Sequence, residues 1–174
     1  MAIDYDMNIK GYLLLAPIGY IKDDPNAGFF TTTMISIPNY GEGLLVFLGP
    51  IIGGVMIEKN LLRMMKGSEA FFPDNFISFR KKLWNKAISL ATRARQSDNY
   101  NKEIVNYHDK YGQIKHSVSI IAGENDQKQI LLQNDRLAKE ILNSKYVKLK
   151  SVNHYIQYER PNEVVKVLNE LVEN

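Results

Sequence analysis

Three short apolar runs alternate with longer amphipathic ones at the two ends of the chain. The run "YLLLAP", residues 12–17, is continuous and is bounded by Gly11 and Pro17. It predicts a strand buried on both faces, the pattern of a parallel sheet. The run "SVSIIAG", residues 117–123, is a second such strand, rich in β-branched residues. The third, "YVKLK", residues 146–150, alternates between apolar and charged positions, which predicts a less covered strand.

Between the second and third runs, Ile130, Leu131, Leu137, Ala138, Ile141 and Leu142 recur at helical spacing. After the third, Pro161 takes a first-turn position with Glu163 just behind it. Val164, Val165, Val167, Leu168, Leu171 and Val172 then form one apolar stripe. From Ser117 onward the order is strand, helix, strand, helix, which defines the fold class as α/β with a parallel sheet.

The middle of the chain has no strand pattern. Residues 56–65 read as a helix that stops at Lys66-Gly67, a C-cap. A longer helix is expected over residues 74–95, with a stripe of Phe76, Phe79, Leu83, Trp84, Ala87, Ile88 and Ala91. A third is expected over residues 104–111. The apolar stretch "GLLVFLGPIIGGVMI", residues 43–57, is about 15 residues long, short of the ~20 that span a bilayer, and Gly49-Pro50 and Gly53-Gly54 interrupt it. Two readings stand for it. One is a buried or partly buried loop-helix segment, the other a lid or wall over an apolar ligand cavity. No stable membrane insertion is expected.

Composition narrows the class. The 174 residues suit one domain with a real core, and 45% apolar with 24% charged residues is ordinary for a globular chain. The net charge of +3 comes from 22 basic and 19 acidic residues, interleaved with one another. No basic face for nucleic acid emerges, and Lys81-Lys82 and Arg93/Arg95 read as solvated helix faces. There is no cysteine, which excludes disulfides and thiolate metal sites and suits a cytoplasmic location. The opening "MAIDYDMNIK" has acids where a signal peptide would be basic.

Three histidines carry the candidate chemistry: His108, His116 and His154. No two have metal-ligand spacing, so no metal or cofactor is expected. His108 reads as solvated and His116 as structural. Asp126 and His154 differ, because each follows a strand directly: Asp126 lies in the turn "GEND" and His154 in "SVNHY". In open α/β sheets ligands bind past the C-terminal ends of the strands. Adjacent strands lie ~4.8 Å apart, so the two loops can bring carboxylate and imidazole together. A carboxylate on one imidazole nitrogen fixes the tautomer and leaves the other nitrogen to act as general base.

With these residues in place the chain resembles the α/β-hydrolase family. "IIAGENDQ" is similar to that family's strand, glycine turn and acid, and "LKSVNHYIQYERPNEVVKVLNELV" to its last strand, histidine loop and closing helix. "IKGYLLLAPIGY" is similar to the strand before the family's cap insertion. The resemblance implies a partial hydrolase core over residues 1–24 and 114–174 and a helical cap over 25–113. It covers the C-terminal part of the family fold, with about three strands. It implies catalytic roles for Asp126 and His154. Two local departures stand out: Asn153 replaces the usual glycine before the histidine, and His116 stands where a proline is common.

The larger departure concerns the nucleophile. The family carries it on G-x-S-x-G, at a strand-to-helix turn that precedes the acid in chain order. No G-x-S-x-G occurs in the 174 residues; the nearest string, "KGSEA" at Ser68, follows a helix. The resemblance therefore implies the cap and C-terminal half of a serine hydrolase acting on an ester or similar bond, and the apolar, aromatic cap segments suggest a small apolar substrate. The alternative is an inactive half-fold that serves as a binding or interaction protein. Either way the strand at residues 12–17 is expected to lack one neighbour. A homodimer, or pairing with a separate chain carrying the N-terminal half, is then expected.

Overall fold

A computed structural model of the protein describes residues 9–20, 41–66, 72–73 and 75–173. The three apolar runs form strands β1 (Gly11–Leu15), β2 (Ser117–Gly123) and β3 (Ser144–Leu149). The helices are α1 (Gly41–Met64), α2 (Phe76–Trp84), α3 (Ala87–Tyr107), α4 (Lys128–Glu140), α5 (Ile156–Glu159) and α6 (Pro161–Glu173). Tyr111–Gln113 makes a short 3-10 turn.

The sheet is parallel throughout, in the order β1-β2-β3. Leu14 stands opposite Ile120, and Ile120 opposite Tyr146. Strand periodicity sends alternate residues to opposite faces. On one face Leu13, Leu15, Ile121, Val147 and Leu149 pack with Val164 and Val167 of α6. On the other, Tyr12, Leu14, Val118, Ile120 and Tyr146 pack with Leu137 and Ala138 of α4. The central strand is therefore covered on both sides, and Ile120 and Ile121 are fully buried. Each contributes roughly 1.5–3 kcal/mol of apolar burial. β3 is the less covered strand, as its alternation predicts, with Lys145 and Lys148 exposed.

Cα packing divides the chain into two compact units. One comprises Met1–Tyr20, Met64–Phe71 and Asn106–Asn174, and holds the sheet; the other comprises Ile21–Arg63 and Phe72–Val105. In the sheet unit, α4 fixes the segment that leaves β1. Gln133 Oε1 accepts the N–H groups of Gly19 and Tyr20, both at 3.2 Å. The fully buried Asn134 donates Nδ2 to the Pro17 carbonyl at 3.0 Å. Tyr20 donates its hydroxyl to Glu140 Oε2 at 2.7 Å, under the guanidinium of Arg136, 3.9 Å from the ring centre.

The helical unit corrects three expectations. The interrupted stretch at residues 43–57 is not a loop-helix segment but part of α1, which runs through Pro50. A proline inside a helix removes one hydrogen bond and crowds the preceding turn, and a helix this long tolerates that locally. Gly54 serves close approach to the C-terminal end of α2. A Cβ on Gly54 would sit 3.1 Å from Asn85 Oδ1, and one turn on, Glu58 Oε2 pairs with Lys81 Nζ at 2.6 Å.

The helix expected over residues 74–95 is broken. α2 ends at Trp84, where Asn85 N–H and Lys86 N–H bond back to Lys81 and Leu83 carbonyls, and α3 begins at Ala87. The apolar stripe continues across the break because Leu83 and Ala87 are four residues apart, so spacing alone hides it. The helix expected over residues 104–111 is the last part of α3, followed by the 3-10 turn. Gly67, Ser68, Asp74 and residues 25–40, which entered the expectations above, lie outside the described residues.

Candidate active site

β2 ends at Gly123, and the chain turns at once. Glu124 N–H bonds to the Leu149 carbonyl at 2.9 Å, and Asp126 N–H closes the turn on the Gly123 carbonyl at 3.1 Å. β3 ends at Leu149, and Ser151 then adopts a left-handed backbone, φ 56°. That turns the following residues across the end of β2. Ala16, just past β1, is also left-handed, φ 44°, and its N–H still pairs with the Ile121 carbonyl at 2.8 Å. Such conformations cost a non-glycine residue roughly 1–2 kcal/mol. Two of them at one sheet edge mark that edge as a place where geometry outweighs local comfort.

The crossing is very close. A Cβ on Gly123 would lie 2.3 Å from the carbonyl oxygens of both Val152 and Asn153. Only glycine lets the loop of β3 descend onto the end of β2. The same descent brings the Val152 carbonyl to the Asn125 N–H, 2.9 Å away. The loops carrying Asp126 and His154 are thus joined by main-chain atoms next to both residues.

His154 and Asp126, singled out from sequence, are in contact: Nδ1 lies 2.8 Å from Asp126 Oδ2. The second oxygen, Oδ1, accepts the Gln127 N–H at 2.7 Å. An ionised carboxylate only accepts, so Nδ1 carries the proton, and in the neutral ring Nε2 is left as an acceptor. The Asp126 side chain is 1% exposed and that of His154 is 23% exposed, so the acid is sealed while the ring keeps an open edge. Tyr155 stands edge-on beside the ring, 5.5 Å between centroids.

The other two histidines lie elsewhere. His116 precedes β2, at the opposite end of that strand from Asp126, and meets Tyr12 edge-on at 5.6 Å. His108 sits half-buried in the turn after α3. Among the described residues no group of three or more His, Cys, Asp or Glu side chains is arranged to hold a metal. No helix among them is long and apolar enough to cross a membrane.

Sequence reading missed Glu159. It is buried, accepts the Asn153 N–H on Oε1 at 2.9 Å, and faces Asn153 Nδ2 with Oε2 at 3.4 Å. In "YIQYERP" it looks like one more solvated acid before a helix, and nothing in the spacing separates it from that. Asn153, the departure from glycine, does not have a left-handed backbone; Ser151 does.

No protein-family model matches the chain, and no curated protein matches it by sequence. Solved structures do match. MenH from S. aureus superposes with a TM-score of 0.65 at 19% identity, over 99% of this chain and 62% of that one. Est816, described as an N-acyl homoserine lactone degrading enzyme, gives 0.55 at 20% identity, over 96% of this chain and 60% of that one. A thermophilic esterase from Thermogutta terrifontis gives 0.53 at 15% identity, over 94% and 56%. The architecture is therefore that of the α/β-hydrolase fold. The chain spans about three fifths of the length of these structures.

Proposed function

We propose that this chain forms the acid-histidine portion of a serine hydrolase acting on an ester or a similar acyl bond. The observation that carries the reading is the 2.8 Å contact between His154 Nδ1 and a sealed Asp126 carboxylate at the C-terminal edge of a parallel sheet. Asp126 orients the imidazole and stabilises the imidazolium. His154 Nε2 takes the proton from a seryl hydroxyl as it attacks the substrate carbonyl, and returns it to the leaving group. The serine and the oxyanion donors come from polypeptide outside these 174 residues, since no G-x-S-x-G occurs within them. The helical unit is read as a cap, and its apolar residues as the side that favours an apolar acyl or alkyl group.

A fluorophosphonate probe tests the assignment of the nucleophile. The chain alone should remain unlabelled. Joined to, or co-expressed with, the polypeptide encoded immediately before it, a single serine of that added polypeptide should be labelled. Stoichiometric labelling of a serine within residues 1–174 contradicts the reading.

One observation favours a second role. β1 pairs with β2 alone among the described strands. A strand with one unpaired edge binds other chains readily, so a non-catalytic interaction protein is the alternative. Finding no serine-bearing partner, encoded nearby or co-purifying, favours it.

A further inference from the structure

A buried carboxylate is expensive. Desolvating it costs several kcal/mol, roughly, and a neutral acceptor would satisfy the same hydrogen bond at less cost. Glu159 is 6% exposed, and both of its oxygens face one residue, Asn153. That residue immediately precedes His154.

The target is one peptide unit, the one linking Val152 to Asn153. Its N–H donates to Glu159 Oε1 at 2.9 Å, and its C=O accepts the Asn125 N–H at 2.9 Å. The unit is thus held at both ends, by the loop of the acid on one side and by Glu159 on the other. A peptide plane turns as a rigid body. Rotation of this one breaks both bonds, and unless φ of Asn153 compensates it redirects the chain into His154. Packing seals the position: Val152 and Ile156, on either side of the histidine, are fully buried in the cluster with Ile121. A charge-assisted bond is about twice as strong as a neutral one, which is the property needed to fix a loop whose neighbour Ser151 is strained.

We propose that Glu159 is a positioning residue for the Asp126–His154 pair. Its carboxylate fixes the plane of the Val152–Asn153 peptide, and through that plane the direction in which His154 presents its ring to Asp126. Glu159 touches no reacting atom. The inference rests on His154 being the working base, but its test reads geometry rather than turnover.

The experiment is proton and nitrogen NMR of the full chain in water. The wild type should show a downfield Nδ1–H resonance from His154 that disappears in Asp126→Ala. Glu159→Ala should lose that resonance while the amide peaks of β1 and β2 stay in place. Glu159→Gln, whose carbonyl can still accept the Asn153 N–H, should restore it, with the Asn153 amide proton moved upfield by the loss of charge. A resonance unchanged in Glu159→Ala overturns the inference. If Glu159→Ala does not fold, an Asn153 amide unmoved in Glu159→Gln overturns it equally. A coupling that appears as described, with no turnover once the chain is assembled with the serine-bearing polypeptide, would refute the proposed reaction and leave the positioning intact.

Discussion

The α-carbon of Gly123 and the carbonyl oxygen of Val152 come so close that a single added methyl would overlap the main chain, 2.3 Å from that oxygen. The contact is between backbones, so no side-chain rotamer can relieve it. It is also the contact that seats the histidine loop on the acid loop.

Gly123→Ala should therefore act on both stability and the site. The loop must lift, which breaks the bond from Asn125 N–H to Val152 O. Overpacking of this kind costs about 1–3 kcal/mol. Urea denaturation should show that loss, and the His154 Nδ1–H resonance should weaken with it. A variant as stable as the wild type would show that the crossing is looser than the geometry here.

Ile121→Ala should be more costly. Ile121 is fully buried on the central strand, packed with Val152, Ile156 and Val167. Truncating such a residue typically costs about 2–5 kcal/mol. Because Val152 and Ile156 flank His154, part of the effect should appear as faster amide exchange in residues 151–156. Exchange rates unchanged there would detach the histidine loop from the core.

These sites differ in how visible they are in the sequence. All three strands announce themselves by composition, and α4 and α6 by spacing, because both patterns reflect burial against a sheet. Asp126 and His154 are visible because each follows a strand. The breaks and continuities of α1, α2 and α3 are not visible: α1 runs on through Pro50, and Gly54 is used against Asn85, a neighbour that local propensity does not contain. Glu159 is hidden for the same reason. Its burial is decided by the Val152–Asn153 peptide, which only the folded chain brings near.

The Tyr20–Glu140 bond gives stability a defined pH window. Partial burial would raise the Glu140 carboxyl, but the hydrogen bonds from Tyr20 and Arg136 outweigh it and hold the group below 4.5. A carboxyl depressed in the folded state stabilises above its ordinary value, and that contribution fades as pH falls through the folded one. Burial, and then the bond to Glu140, raise the Tyr20 hydroxyl above 10.0. Its contribution is complete below 10.0 and is lost as pH rises through the raised value. The melting-temperature difference between wild type and Tyr20→Phe should therefore be largest between 4.5 and 10.0 and shrink on either side. A difference that is flat with pH would mean the bond is not formed.

β1 predicts association. It pairs on one side only among the described strands, and Tyr12, Leu13, Leu14 and Leu15 carry no charge to discourage a partner. Light scattering at micromolar concentration should give a mass above the 20.0 kDa of one chain. A stable monomer would mean that this edge is covered by the chain itself.

The central claim is that His154 works as a base held by Asp126. Its most direct test is kcat/KM for a p-nitrophenyl ester, measured on the chain assembled with the polypeptide that supplies the serine, with and without His154→Ala. Positioned general-base catalysis contributes roughly 10²–10⁴-fold, and the variant should lose a factor of that order. Unchanged kcat/KM in His154→Ala would contradict the account.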